Sequence, residues 1–256
     1  MELTAKNYFS KEANLHFLSV SQFKAFSKCQ AAALAELNGE YEREESTALL
    51  VGSYVDSYLE GTLEQFRQEH PEIFKRDGTL KAEYIRAEAI IERIKRDKLF
   101  TEFMGGEKQV IMTGEICGVP VKIKIDSLLP DKIVDLKIMR DFENVRDAEK
   151  GYIPYFEAWG YDIQGAVYQE IVRQNTGKTL PFYLAAATKE KTPDIDIVHI
   201  NPKSLEFAFE QFKANVELYD AIKQGVIEPE RCGKCDYCKR TKVLTKPTDS
   251  EEFYLI

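Results

Sequence analysis

The sequence predicts an α/β fold. Segments with helical and with strand-like periodicity follow one another in the order helix, three strands, helix, two strands, helix, which is typical of a sheet covered by helices. Hydrophobic residues make up 44% of the 256 residues, which is enough for a sizeable core. Since no Pro/Gly/Ser-rich linker interrupts the chain, we expect a single domain over residues 1–256.

Charge and the lack of long apolar runs limit the location and the partners of the protein. No apolar stretch reaches the length that spans a membrane, and the N-terminal residues lack the apolar core of a signal peptide. We therefore expect a cytoplasmic protein without a membrane partner. The net charge of −8 is unfavourable for binding nucleic acid unless Lys and Arg are concentrated at one place.

The first helix is predicted over residues 19–38. Ser19 or Ser21 is suited to cap its N-terminus, the alanines favour its interior, and Gly39 is suited to end it. Cys29 lies near the middle of this helix, where a lone cysteine is most often a small buried apolar residue.

A second predicted helix carries Gly52 and Asp56 on one face, because the two residues are four positions apart. Glycine inside a helix often marks close packing. Asp56 is either a metal ligand or a solvated residue of an amphipathic helix. The following residues, about 62–104, are helical and highly charged, and we interpret them as a solvated helical insertion. The alternative is a face that follows DNA, formed by Arg86, Arg93 and Lys98.

Three strands follow. Glu107 begins the first strand, and Cys117-Gly118 makes the turn into the second, so that Cys117 is left out of any metal site. Apolar and polar residues alternate over 119–126 and again over 133–138, which is the pattern of half-buried strands.

Pro130 and Asp131 mark the turn between the second and third strands. A two-residue loop there places Asp126 opposite Asp135. It also places Ile125 opposite Leu136, on a common apolar face.

The two facing carboxylates carry the chemistry of this hairpin. They repel each other and would destabilise the hairpin unless a cation lies between them. Hard divalent cations take oxygen ligands, and Lys137 lies two residues after Asp135 on the same face. The pattern indicates a site for metal-assisted phosphodiester hydrolysis. The alternative is a solvated hairpin face with ordinary charges.

The second half of the chain completes the predicted sheet. After a loop over 140–153, a helix over about 154–174 carries Gln164 and Tyr168 one turn apart on one face. Earlier in this helix, Trp159 and Tyr161 are expected in the core, and base stacking is the less favoured interpretation. Two further strands are predicted at 180–188 and 195–200, and a last helix at about 201–224.

Three cysteines in the short polar segment 231–240 indicate a metal site. Cys232, Cys235 and Cys238 are spaced CxxCxxC, and free exposed cysteines seldom cluster in this way. Three thiolates leave a tetrahedral or cubane site one ligand short.

The motifs together resemble those of one nuclease superfamily. Asp126, eight residues, and then Asp135-Leu136-Lys137 resemble the D…(D/E)xK core of the PD-(D/E)xK nucleases. Gln164 and Tyr168 resemble the QxxxY motif of the RecB-type branch. Gly52 and Asp56 resemble its GxxxH motif, with Asp56 where the family has His. Over residues 19–240 the chain is similar to the RecB-type and RecE-like phage exonucleases.

The resemblance implies a restriction-endonuclease-like core, a mixed β-sheet flanked by helices. It also implies the residues of two sites. The implied catalytic residues are Asp126, Asp135, Lys137, Gln164 and Tyr168. A Mg²⁺ or Mn²⁺ ion would be held by Asp56, Asp126, Asp135 and the backbone carbonyl of Leu136. Cys29 would complete the site of Cys232, Cys235 and Cys238, as in the iron–sulfur members of the family. A 4Fe-4S cluster is slightly favoured and zinc is the alternative, because the cysteine spacing departs from the family's CxxCx5C pattern.

The implied activity is that of a Mg-dependent deoxyribonuclease, an exonuclease that degrades DNA from linear double-stranded ends during phage or prophage recombination. A single-strand-annealing recombinase and a homo-oligomer are partners that the resemblance allows. One alternative is a structure-specific endonuclease. Another is a nucleic-acid-binding protein of the same fold whose catalytic site has decayed, which the missing His would favour. A zinc or iron–sulfur scaffold is the third.

Overall fold

The computed structural model describes residues 1–42, 47–247 and 249–250. The first half of the chain forms helices α1 (Lys11–His16), α2 (Val20–Lys28), α3 (Gln30–Asn38), α4 (Thr47–Glu60), α5 (Leu63–Glu69), α6 (Ala82–Lys95) and α7 (Lys98–Phe103), with a 3-10 turn at Pro71–Ile73. The second half forms strands β1 (Glu107–Ile116), β2 (Val119–Leu129), β3 (Lys132–Met139), β4 (Val145–Asp147) and β5 (Gly151–Ile153), helices α8 (Tyr155–Ala158) and α9 (Tyr161–Thr176), strands β6 (Phe182–Thr188) and β7 (Ile195–His199), and helices α10 (Pro202–Lys223) and α11 (Asp236–Arg240).

A five-stranded sheet in the order β1-β2-β3-β6-β7 forms the centre of the molecule. Strands β3 and β6 run parallel and the other neighbours run antiparallel, so the sheet is mixed. The predicted α/β fold, a mixed sheet flanked by helices, is therefore confirmed. Strands β4 and β5 form a small separate hairpin within 140–153, where the sequence predicted only a loop. No helix in the described ranges has both the length and the apolar character that crossing a membrane requires.

Helices cover both faces of the sheet. On one face, α2, α9 and α10 bury Phe23, Ile171 and Phe212 together with the apolar side of β2. On the other face, α4 and α6 pack on β3 and β6. The interpretation of 62–104 as merely solvated helices is wrong for α6, because Ile91 and Ile94 are almost fully buried against the sheet. Their spacing of three residues gives this charged helix one apolar stripe.

The β2–β3 hairpin has the predicted turn and only part of the predicted pairing. Ser127 pairs with Val134, and two further pairs lead to the loop at Pro130 and Asp131. Beyond Ser127 the two strands diverge. There the backbone N–H of Leu136 donates to Oδ2 of Asp126 at 2.8 Å, so a side chain takes the place of a strand carbonyl.

The predicted common apolar face of this hairpin is also wrong. Ile125 packs in the core beneath α9, whereas Leu136 packs in the core beneath α6. Ile125 and Leu128 both contact the α9 core although they are three residues apart, so the alternation of β2 breaks between them, at Asp126. On the adjacent strand, Gln109 lies opposite this position and has a φ of +52°.

Two predicted helices are each divided in two. The helix over 19–38 breaks at Cys29, whose extended backbone (φ −165°, ψ 107°) ends α2 and begins α3. Its predicted ends are confirmed, since Ser19 caps α2 and Gly39 ends α3 in the left-handed conformation. The helix over 154–174 breaks at Gly160 (φ +63°) into α8 and α9. Trp159, at this break, is 51% exposed, so its expected place in the core is wrong.

The N-terminal residues are attached to β2 alongside the part of that strand that β3 leaves free. Leu18 bridges to β2 in parallel orientation: its N–H donates to the carbonyl of Pro120 at 2.8 Å, and its carbonyl accepts from the N–H of Lys122 at 3.0 Å. The Lys122 side chain is only 1% exposed. Its Nζ donates to Asn14 Oδ1 at 2.7 Å and to the carbonyl of Tyr8.

Candidate active site

The carboxylates predicted on the hairpin lie at the point where β2 and β3 diverge. Oδ2 of Asp135 forms an ion pair with Nζ of Lys137, and Oδ1 of Asp135 accepts a hydrogen bond from Nε2 of Gln164 at 2.6 Å. Asp126 is fixed by the N–H of Leu136. The two carboxylates therefore meet where the β2–β3 ladder ends and the alternation of β2 breaks, and not as a directly paired position of two regular strands.

Electrostatic coupling connects Asp56 on α4 to the same site. Burial raises the pKa of Asp56 to about 7; Lys137 lowers it, and Glu60 and Asp135 raise it. Burial is also the main reason that the pKa of Asp126 is well above its ordinary value, and repulsion from Asp135 and Asp56 adds to the shift. The carboxylates therefore outnumber the one ammonium group, that of Lys137, among the residues predicted for this site.

Lys137 itself remains charged. Burial opposes its charge, but Asp135 and Asp126 outweigh this and raise its pKa above the ordinary value. Its Nζ also donates to the carbonyl of Leu136 at 3.2 Å. The ammonium group is thus held next to Asp135 and the carbonyl of Leu136.

Gln164 and Tyr168 on α9 are both buried, each only 8% exposed. Gln164 orients Asp135, and the hydroxyl of Tyr168 donates to the carbonyl of Lys124 on β2 at 3.0 Å. Between them, Gly165 allows close contact with β6, because a Cβ there would overlap the ring of Phe182. The pair therefore connects α9 to the two strands that carry the carboxylates.

The donor atoms fit a hard divalent cation. Asp56, Asp126, Asp135 and the carbonyl of Leu136 provide oxygen atoms only, which Mg²⁺ and Mn²⁺ prefer. Oδ2 of Asp135 is buried, and Lys137, with which it forms an ion pair, is its counter-charge. An additional cation would relieve the repulsion among the three carboxylates.

Residues 19–241 match the family model described as a PDDEXK-like domain of unknown function (DUF3799). The chain belongs to the PD-(D/E)xK nuclease superfamily. A crystal structure of a putative exonuclease from Eubacterium rectale is similar, with a TM-score of 0.95 and 49% sequence identity, and the match covers 99% of this chain and 98% of that chain. Comparison with curated proteins gave no significant match. The resemblance inferred from the motifs is therefore confirmed for the superfamily.

Two residues near this PD-(D/E)xK site were not predicted from the sequence. Gln109 Nε2 donates to Oδ1 of Asp126 at 3.3 Å, and Oε1 of Gln109 is buried without a hydrogen-bond partner in the described part of the chain. Lys24, on α2, is close enough to Lys137 and Asp135 for both to shift its pKa. Neither residue is part of a motif, and both reach the site only through tertiary packing.

A groove of about 480 Å³ leads away from Asp56. It lies between α4 and the N-terminal residues, and its lining includes Glu60, Lys124 and the largely exposed Phe9. Nζ of Lys124 lies 4.9 Å from the centre of the Phe9 ring. The candidate site therefore meets this groove at Asp56, on the α4 side.

The four predicted cysteines come together away from the carboxylates. Cys29, Cys232, Cys235 and Cys238 place their Sγ atoms within 4.8 Å of one another. The Sγ of Cys238 lies 3.6 Å from that of Cys29 and 3.9 Å from that of Cys232. Cys117 is exposed in the β1–β2 turn, as predicted.

Backbone contacts preform this cysteine site. The N–H groups of Cys235 and Cys238 point at the sulfur atoms of Cys232 and Cys235, at 3.4 and 3.5 Å. Hydrogen bonds from backbone N–H groups, including that of Lys234, lower the pKa of Cys232 to about 6, whereas burial and the neighbouring thiols raise the pKa of Cys235. The thiolate is the form of cysteine that binds metals, so the site fits a soft or borderline metal ion. The N–H of Ala31 donates to the carbonyl of Glu230 and joins the two chain segments directly.

Proposed function

We propose that this PD-(D/E)xK protein is a metal-dependent nuclease that hydrolyses phosphodiester bonds in DNA. The observation that carries the proposal is the meeting of Asp126, Asp135 and Lys137 at the divergence of β2 and β3, with Asp56 coupled to them from α4. Carboxylates whose pKa values are raised by burial and by a neighbouring carboxylate, as for Asp126 and Asp56, are typical of catalytic sites and uncommon on a solvated hairpin face.

The residues have separate roles in this proposal. Asp126, Asp135, Asp56 and the carbonyl of Leu136 would hold Mg²⁺, which when bound supplies Lewis-acid activation of phosphate and water. The ammonium of Lys137 stabilises negative charge that develops on the phosphate and orients the attacking water. Gln164 fixes Asp135, because its amide occupies Oδ1 and leaves Oδ2 directed at Lys137.

Exonuclease activity is the more specific part of the proposal. Its support is the 49% identity with the Eubacterium rectale protein described as a putative exonuclease, together with the RecE-like order of motifs. Action on linear double-stranded ends in phage recombination follows from the resemblance. A single domain over residues 1–256, a cytoplasmic location, a recombinase partner and a homo-oligomer stay predictions.

The presence of Asp56 favours a functional catalytic site over a decayed one. It stands where the family has His, and its carboxylate supplies an oxygen ligand of the kind that Mg²⁺ prefers. Its pKa of about 7 is a consequence mainly of burial, so a bound cation would keep it ionised. A decayed site would not need to retain all three carboxylates and Lys137 together.

For the cysteine site we propose a single tetrahedral ion, with zinc as the favoured metal. Zinc–sulfur bonds of about 2.3 Å in tetrahedral geometry place sulfur atoms about 3.8 Å apart. Two of the six sulfur–sulfur distances, 3.6 and 3.9 Å, agree with this, and all six are within 4.8 Å. A 4Fe-4S cluster binds each thiolate to a different iron and would need a wider set of sulfur positions. Elemental analysis of the purified protein distinguishes zinc from the iron–sulfur alternative.

Digestion of linear and closed circular DNA of one sequence in the presence of Mg²⁺ tests the proposed activity. Degradation of the linear DNA alone is the expected result for an exonuclease. Cleavage of the circle would support the structure-specific endonuclease instead. If neither DNA is digested with Mg²⁺ or Mn²⁺, the catalytic site has decayed and the proposal is wrong.

Substitutions in the hairpin test the assigned residues. Asp126→Asn and Asp135→Asn should each abolish cleavage while the protein stays folded, because the amide cannot replace a carboxylate toward the cation. Lys137→Ala should lose most of the activity and keep Mn²⁺ binding, since an ammonium group is not a ligand. Asp131→Asn is the matched control: this carboxylate is exposed in the turn of the same hairpin, and the variant should retain full activity. Full activity of either of the first two variants would contradict the assignment.

A further inference from the structure

The break between α8 and α9 creates an unusual surface next to the candidate active site. Gly160 has a φ of +63°, and a Cβ at this position would lie 3.0 Å from Cδ of Lys24. Glycine both permits the left-handed backbone and leaves room for the aliphatic part of the lysine. The side chain of Lys24 can therefore extend from α2 across the break.

The ammonium group of Lys24 is held there by a backbone carbonyl, and the carboxylates of Asp135 and Asp162 attract it without forming an ion pair. Its Nζ donates to the carbonyl of Trp159 at 3.1 Å and lies 5.1 Å from the centre of the Tyr161 ring. Nζ of Lys137 lies 5.2 Å from the same ring centre. Within the described ranges, no Asp or Glu side chain forms an ion pair with Lys24, whereas Lys137 is paired with Asp135.

This arrangement is electrostatically unfavourable in the free protein. Burial and the neighbouring Lys137 lower the pKa of Lys24 to about 8, and Asp135 and Asp162 offset only part of this, so the group is still mostly charged at neutral pH. Two ammonium groups near one aromatic ring repel each other, and among the described residues only Lys137 forms an ion pair with a carboxylate. An anion bound beside Lys24 would remove this repulsion and satisfy its remaining donors.

An exposed aromatic ring lies at the same break. Trp159 is the one tryptophan of the chain, and its side chain is 51% exposed. The exposed indole belongs to the residue whose backbone carbonyl binds Lys24, so an aromatic face for a base and a cation for a phosphate, the two components of single-strand binding, occur at one break. In an intact duplex both faces of a base are covered by its neighbours, so stacking on an indole requires an unstacked base.

We propose that Lys24 and Trp159 form a nucleotide subsite beside Lys137, in which Lys24 binds a backbone phosphate next to the scissile one and the indole of Trp159 stacks on an unpaired base. The ligand is a single-stranded segment of DNA. The proposal rests on the proposed nuclease function and adds to it that the strand is unstacked where it enters the site. It also locates a cationic contact for DNA in a protein whose net charge is −8.

The single tryptophan makes the subsite directly observable. Oligothymidylate of about ten nucleotides, which spans one typical single-strand site, is titrated into the protein with Ca²⁺ in place of Mg²⁺, and Trp159 fluorescence is recorded. A second titration follows the anisotropy of the same oligonucleotide carrying a fluorescent label. We expect saturable quenching of Trp159 at the concentrations at which the anisotropy rises.

Substitutions separate the two components. Lys24→Met, which keeps the length of the side chain, should weaken binding roughly tenfold and reduce the slope of log affinity against log salt by about 0.7. Lys24→Arg should restore most of the affinity and most of the salt dependence. Trp159→Ala should lower the affinity measured by anisotropy. Lys213→Met is the charge-matched control, because Lys213 lies on α10, pairs with Glu210 and is near Cys117 at the far end of β2. Melting temperatures show that each variant is folded.

Two results would overturn the subsite. One is oligonucleotide binding by anisotropy without any change in Trp159 fluorescence. The other is equal affinity and equal salt dependence of Lys24→Met and Lys213→Met. If the wild-type protein still digests linear DNA, these results refute the subsite and leave the nuclease function intact. A wild-type protein that neither digests DNA nor binds the oligonucleotide would refute both.

Discussion

Replacing Cys29 with Ser should destabilise the protein strongly, and only while the cysteine site holds its metal. Cys29 comes from the N-terminal part of the chain and Cys238 from the C-terminal part, 209 residues apart. The other two ligands lie in the same short segment as Cys238. Cys29 is therefore the residue through which the metal closes a long loop.

The magnitude follows from that loop. In the chain-entropy model, a cross-link over about 209 residues lowers the entropy of the unfolded chain enough to contribute about 5 kcal/mol at 25 °C. This is a large part of the stability of an ordinary domain, about 5–15 kcal/mol. For a chain of this size, about 5 kcal/mol corresponds to a fall in melting temperature of about 10–20 °C.

Thermal unfolding of four samples measures the effect. Wild-type protein and Cys29→Ser are each compared in the metal-loaded form and after removal of the metal with a chelator. The melting temperatures of the two metal-loaded samples should differ by about 10–20 °C. Those of the two metal-free samples should differ by only a few degrees, because without metal neither protein has the closed loop. Cys117→Ser, which changes an exposed thiol in the β1–β2 turn, should match the wild type in both forms.

A difference of the same size in the loaded and the metal-free samples would refute this reasoning. Cys29 would then act as a buried apolar residue at the junction of α2 and α3. Unchanged metal content and unchanged melting temperature in Cys29→Ser would exclude it from the site altogether.

Two further predictions concern α2 and the N-terminal attachment. Ser19→Ala removes the capping box that Ser19 forms with Gln22, so it should lower the free energy of unfolding by about 1 kcal/mol in urea denaturation, and an unchanged value would contradict the cap. Burial, with a further contribution from Lys223, lowers the pKa of Lys122 from 10.5 in the unfolded chain to about 8 in the folded protein, so the unfolded state binds more protons between these pH values. The stability of the wild type relative to Lys122→Met should therefore rise between about pH 8 and pH 10, by up to about 3 kcal/mol, and a falling difference would contradict the shift.

Patterns of neighbouring residues were sufficient to predict the strands and turn of the β2–β3 hairpin. The alternation over 119–126 and 133–138 and the turn at Pro130 and Asp131 predicted the hairpin, because side-chain period and turn residues are properties of neighbouring positions. The break at Cys29 was missed for the opposite reason. The alanine-rich run around it favours one continuous helix, and the extended backbone at Cys29 follows from its contact with Cys238, which lies far away in sequence.

Some residues of the candidate site could likewise be predicted from local patterns, and others could not. Asp126, Asp135 and Lys137 could be found because they lie on one hairpin at motif spacing. The break in alternation at Asp126 could not be predicted, because the sequence pattern of β2 is regular there and indicates an uninterrupted strand. Lys24 and Gln109 approach from α2 and β1, and no residue pattern around either of them indicates a distant carboxylate.

The attachment of the N-terminal residues to β2 has a practical consequence for any shortened form of the protein. The family match begins at residue 19, just after Leu18, which bridges to β2. A chain begun at residue 19 would lose the backbone partner of β2 at Pro120 and Lys122, and the almost fully buried ammonium of Lys122 would lose its acceptors on Tyr8 and Asn14. Buried charges without acceptors are strongly destabilising. In this protein, the residues that the family model matches therefore do not include all the residues that β2 needs for its backbone and side-chain partners.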